Sequence, residues 1–205
     1  MRKMTQKIWG LALSGILAGC ASSPPTKPDN ICDIFEEKRD WYEAAIETRE
    51  KWGAPVHIPM AIMYQESSFK YDAAPPMRYF LWIIPIGRAS DAYGYSQAKT
   101  PVWREYVESS GHYFADRDDF DDAIDFVGWY MNRSNRINKV SKWDAYAQYL
   151  NYHEGHGGYR RGSYHDKPWL KKVARKVEAR AKRYSEQYWG CKDALSRSWF
   201  MRVFF

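Results

Sequence analysis

The stretch IPMAIMYQESSF, residues 58–69, sets a glutamate where an apolar residue is expected. Pro59 fits the first turn of a helix, where its missing N–H would be unpaired anyway. Ile58, Ile62 and Glu66 are spaced i, i+4, i+8, and Met63 and Glu66 are spaced i, i+3. Glu66 therefore continues the apolar stripe and is predicted to point inward. A carboxylate there has two readings. It is a structural ion pair or loop cap, or it is a general acid. Desolvation lifts a glutamate above its ordinary value of about 4.3. An acid that keeps its proton near neutrality can protonate a leaving group, which is the first step of glycoside cleavage. That chemistry also needs stabilisation of an oxocarbenium-like centre, usually by a second carboxylate. Asp91 and Glu154 are the carboxylates nearest the other motifs, and neither has a spacing that assigns it this task. A single acid suffices where the N-acetyl group of the substrate assists.

The elements that must position Glu66 read as almost all helix. Asp33 with Glu36 resembles a capping box and opens a helix to about Trp52, with Trp41, Tyr42, Ala45, Ile46 and Trp52 on one side. Gly53 stops it. The Glu66 helix follows. Thr100-Pro101 opens another that ends before Gly111, and a further one runs from Phe120 to about Asn135. Ser141 and Asp144 cap a helix whose apolar face is Trp143, Tyr146, Ala147 and Leu150. The last helix spans Asp166 to Tyr188. Its run of Lys and Arg reads as a solvated face, with contact to a wall polymer or lipid headgroups as the minor alternative. DRDDFDD, residues 116–122, sits at a helix start, where aspartates cap free N–H groups; it lacks the glycine and glutamate of a calcium loop. HEGHGG, residues 153–158, has the wrong histidine spacing for a zinc protease, and its glycines suggest a loop. No metal or cofactor is expected.

Three short motifs carry a resemblance. Glu66-Ser67-Ser68-Phe69 resembles the E-S-x-F motif of lytic transglycosylases with the soluble-transglycosylase (SLT, goose-lysozyme-like) domain. Ala92-Tyr93-Gly94-Tyr95-Ser96-Gln97 resembles that family's A-x-G-L-M-Q at Ala92, Gly94 and Gln97, with Tyr95-Ser96 in place of Leu-Met. Asn151-Tyr152-His153-Glu154-Gly155 resembles A-Y-N-x-G at Tyr152 and Gly155, with Asn151 for Ala and His153 for Asn. The resemblance covers roughly residues 41–160. It implies a single all-α, lysozyme-like domain that cleaves the bond between MurNAc and GlcNAc in peptidoglycan. Glu66 would protonate that bond and then accept a proton from the C6 hydroxyl, leaving a 1,6-anhydro end. Ser67, Gly94, Tyr95, Gln97, Tyr152 and His153 would line or contact the bound sugar, and the many aromatic rings could stack on it. Two alternatives stay open: a muramidase that uses water held by Asp91, and a silent peptidoglycan-binding scaffold. The segment between Glu66 and Gln97 is longer than the family usually has. Its apolar stretch PPMRYFLWIIPIGR, residues 75–88, is expected to pack on the core, with a loop over the cleft or a partner surface as the other readings.

The ends of the chain set the expected location. Arg2, Lys3 and Lys7 precede an apolar run from Ile8 to Gly19, too short to span a bilayer. Leu17-Ala18-Gly19-Cys20 resembles a bacterial lipobox. It implies a signal peptide over 1–19, lipid on Cys20, a flexible tether over 20–30 and one folded domain over 31–205. Ala21 after the cysteine favours the periplasmic face of the outer membrane. Cys32 and Cys191 could pair there, closing a long loop, or remain free thiols. The net charge of +6 falls to +3 without Arg2, Lys3 and Lys7. That balance suits an anionic wall polymer and argues against nucleic acid as a partner.

Overall fold

The computed structural model describes residues 23–204. The proposed signal peptide and Cys20 lie outside the described residues. The helix expected over 33–52 is two helices, α1 (Ile31–Glu37) and α2 (Arg39–Trp52). Lys38 leaves helical geometry between them, at φ −120° and ψ 80°. Asn30, rather than Asp33, caps α1 by accepting from the Cys32 N–H. The apolar residues of α3 (His57–Ser67) are buried, Ile58, Ile62 and Met63 among them. α4 (Thr100–Ser110) has Pro101 in its first turn and ends at Gly111, as expected, but Thr100, expected as its cap, is the first helical residue; Lys99 holds the cap position without a side-chain hydrogen bond. α5 (Phe120–Asn138) is the central helix; Asp119 caps it by accepting from the N–H groups of Asp121 and Asp122.

Two elements differ from expectation. α6 (Ala145–Arg160) runs through the segment expected to be a loop and leaves helical geometry inside only at Gly155, at φ 74° and ψ 160°. Lacking a Cβ, Gly155 takes that conformation without steric cost, so its effect is a kink rather than a stop. The buried face of α6 carries Ala145, Tyr149 and Leu150. Trp143 precedes the helix, is 69% exposed and lies against His57. α7 (Pro168–Phe204) extends well past Tyr188. Leu170, Ala174, Val177, Ala181 and Tyr184 form its buried stripe, while Lys172, Arg175, Lys176, Lys182 and Arg183 are exposed. Arg180 turns inward over the Tyr64 ring, 3.4 Å from its centroid.

The core is knit by aromatic rings. Trp41 of α2 stacks on Phe120 of α5 at 3.8 Å, and Tyr95 meets Trp41 edge-on at 5.6 Å. Each such pair adds about 0.5–1.5 kcal/mol beyond the area it buries. Cys32 and Cys191 are disulfide-bonded with Cα atoms 6.1 Å apart, joining α1 to α7.

Residues 25–30, expected to belong to a flexible tether, are instead docked on the helices. Pro25 is buried. The Thr26 N–H and hydroxyl donate to Glu37 at 2.9 and 2.7 Å. Arg180 and Tyr184 donate to the Pro28 carbonyl, and Gln187 donates to that of Asp29. Prolines have little conformational freedom to lose on docking, which makes this strap inexpensive to order.

Residues 75–88 do not pack on the core. They form a hairpin of β1 (Met77–Phe80) and β2 (Ile84–Arg88), antiparallel, with every strand residue exposed. No helix among the described residues is long and apolar enough to cross a membrane.

Candidate active site

Glu66 occupies the last turn of α3. Ser68 and Phe69 both follow in the left-handed conformation, at φ 53° and 61°. Two such residues cost roughly 1–3 kcal/mol each. Burial of Phe69 against Trp41 and Tyr64, at 5.5 and 5.7 Å, offsets that cost and pins the turn. The helix thus stops with Glu66 at its end, half-buried, at one wall of an open cleft of about 460 Å³.

The second wall is the Ala92–Gln97 loop. The Gly94 N–H donates to the Ala73 carbonyl at 2.9 Å, and the Gln97 side-chain amide donates to Ala73 and Gly94 at 2.7 and 3.0 Å. Gly94 has φ 75°, and a Cβ there would lie 1.8 Å from the Arg117 carbonyl oxygen. Its close approach is to the protein's own backbone. The third wall is α6. The Tyr152 hydroxyl donates to the Ser96 carbonyl at 2.6 Å, which ties the third motif to the second. Asn151, buried, accepts from Asn138 and pairs with His156 at 3.2 and 3.0 Å, so this departure from the family pattern braces α6 against the end of α5. His153 and His156 face different partners, Glu154 and Asn151.

Of the residues expected at the site, Glu66, Gln97, Tyr152 and His153 line the cleft. Three others do not. The Ser67 hydroxyl is buried and donates back to the Met63 carbonyl at 3.1 Å. Tyr95 sits in the aromatic core. Gly94 is filled against Arg117. Sequence reasoning passed over Tyr149, whose hydroxyl hydrogen-bonds the Glu66 carboxyl, and Tyr130, which lines the cleft. Tyr149 lies one turn before Tyr152, so the helical spacing of the motif tyrosine was the available signal.

Burial raises the Glu66 carboxyl to about 7, against the lowering effect of the Tyr149 hydrogen bond. No ion pair engages it among the described residues. The two tyrosines beside it remain neutral: burial and the Glu66 charge push both hydroxyls up. Glu154 behaves in the opposite way. Burial alone would raise it, but donors on Lys167, Ser163 and His153 hold it down at about 2. Lys167 lies 2.8 and 2.9 Å from its two oxygens. Its charge is committed to that ammonium. Asp91 accepts from the Thr100 N–H at 2.9 Å at the start of α4 and does not line the cleft.

The fold and site together define a helical, lysozyme-like domain with one protonatable carboxyl in an open, mixed polar and aromatic cleft. The model of the Transglycosylase SLT domain family matches residues 8–191, and the chain belongs to that family. A search among curated proteins finds no match to it. The family makes its function one of the lytic transglycosylase type, directed at peptidoglycan.

Proposed function

We propose that the protein cleaves the β-1,4 bond between MurNAc and GlcNAc with Glu66 as its only acid and base, leaving a 1,6-anhydroMurNAc end. The observation that carries this reading is a carboxyl raised by burial to about 7, with a neutral tyrosine as its partner. Such a group holds its proton until the bond begins to break and takes one back readily afterwards. Glu66 delivers its proton to the departing GlcNAc O4 as the C1–O4 bond breaks. The MurNAc C6 hydroxyl then bonds to C1 and gives its proton to Glu66, so no water is consumed. Tyr149 orients the carboxyl. Tyr152 and Gln97, braced by backbone carbonyls, line the sugar site beside it. Asp91, the residue considered for holding water in a muramidase, accepts from the Thr100 N–H at the start of α4 and does not line the cleft.

The test uses residues 21–205 with purified sacculi and mass spectrometry of the released fragments. Wild type should yield anhydro-ended muropeptides. Glu66→Gln should lose about 10²–10⁴ of the rate while still binding sacculi. Hydrated reducing ends would make the protein a muramidase. Binding without any cleavage by wild type would make it a wall-binding scaffold.

The anchor belongs to the same proposal: lipid on Cys20, on the periplasmic face of the outer membrane. Support comes from the basic start, the short apolar run, Leu17-Ala18-Gly19-Cys20 and Ala21. Cells fed labelled palmitate should label the wild type and not Cys20→Ala.

A further inference from the structure

No strand or tip residue of the β1–β2 hairpin lines the cleft, and none is buried in the core. Its feet, Pro75 and Ser90, lie at the cleft rim. Its tip is Phe80-Leu81-Trp82-Ile83-Ile84, with Leu81 67%, Trp82 96% and Ile83 80% exposed. The Ile83 N–H closes the turn onto the Phe80 carbonyl at 3.2 Å, and both central residues, Leu81 and Trp82, have positive φ, 49° and 65°. Turns with positive φ at both centres favour Asn and Gly. Two large apolar residues there are costly to the fold, packed against nothing that repays them internally. Their benefit lies outside the chain.

We propose that this hairpin docks on an anionic lipid bilayer, with Phe80–Ile84 entering the interface and Arg78, two residues from the tip, meeting the headgroups; the Arg88 guanidinium, at the foot, donates to the Pro75 carbonyl and adds its charge from there. Three observations select lipid as the occupant. First, the cross-strand pairs nearest the tip, Tyr79–Pro85 and Phe80–Ile84, are exposed and set apolar residues on both faces of the ribbon, so the tip needs a surround rather than one flat partner. Second, between Asp72 and Asp91 the chain carries two arginines and no carboxylate, complementary to an anionic surface. Third, Trp82 supplies the only side-chain polar group of the tip, which suits an interface and cannot satisfy the hydroxyls of a glycan. A strand of four residues reaches about 13 Å at roughly 3.3 Å per residue. That is enough to enter the headgroup–acyl boundary, about 5–10 Å deep, and too little to cross about 30 Å of hydrocarbon. Pro85 removes a backbone donor from β2, which weakens edge pairing with a second copy.

The experiment is cosedimentation with vesicles of phosphatidylethanolamine and phosphatidylglycerol, and with phosphatidylcholine alone. It uses residues 21–205, which contain every described residue and no lipid, so the outcome is independent of Cys20 and of any glycan cleavage. Wild type should bind the anionic vesicles, more weakly at high salt. The triple variant Leu81→Ser, Trp82→Ser, Ile83→Ser should bind about tenfold or more weakly, with helicity and sacculus cleavage unchanged. Arg78→Ser should reduce the preference for anionic over neutral vesicles. Equal binding by wild type and the tip variant would overturn the proposal, as would wild type remaining in the supernatant. Self-association removed by the tip variant without vesicle binding would assign the hairpin to a second copy. Sacculus binding lost in the tip variant alone would assign it to the glycan.

Discussion

At Glu66 the raised carboxyl links acid strength to stability. The folded state keeps the proton up to about 7, while the unfolded chain releases it near 4.5. Between those values the folded state binds more protons, so stability falls as pH rises through the window. Glu66→Gln removes the loss. The variant should match wild type below the window and exceed it by about 1–3 kcal/mol above it, read as melting temperature against pH. Tyr149 gives a second readout. Its hydrogen bond lowers the Glu66 value, so Tyr149→Phe should move the alkaline limb of the kcat/KM profile to higher pH. An unmoved limb with a uniformly lower rate would make Tyr149 a packing residue only. The inward direction of Glu66 was legible because Ile58, Ile62 and Met63 share its stripe. Tyr149 was not, because a tyrosine on an apolar face reads as core until its hydroxyl is seen to face a carboxyl.

At the scale of elements, the loop motif is structural before it is anything else. Gly94 sits where Ala73 and Arg117 converge, and the same loop carries Gln97 and the Ser96 carbonyl that holds Tyr152. Gly94→Ala forces a Cβ into the Arg117 backbone. It should destabilise the protein by about 2–4 kcal/mol in urea unfolding and lower cleavage through the displaced Gln97 and Tyr152. The helices were legible where start signals and periodicity agreed, as at Pro101 in the first turn of α4 and at Asp119 before Phe120. The joint at Lys38 carried no glycine or proline to mark it. The α6 segment reads as a loop because of the glycines in HEGHGG, yet only Gly155 leaves helical geometry. The hairpin is hidden in the sequence for a different reason. Apolar composition ordinarily signals burial, and nothing local distinguishes an apolar run kept for an external surface.

At the scale of the whole molecule, one disulfide and one strap fasten the first described residues and α1 to α7. Cys32 and Cys191 are 159 residues apart in sequence. Replacing both by Ser should cost about 2–5 kcal/mol and lower the melting temperature by roughly 5–15 °C for a domain of this size. The α1–α7 junction is where the loss should first show in hydrogen exchange. The same bond has a consequence for an enzyme nicked in its most exposed turn. Cutting after Trp82 separates a piece bearing Glu66 and Cys32 from one bearing Tyr149, Tyr152 and Cys191. The two pieces would travel as a single species on an unreduced gel and part only under reductant. A protein clipped at the hairpin would thus persist as a two-chain molecule, its acid on one polypeptide and the tyrosines that attend it on the other.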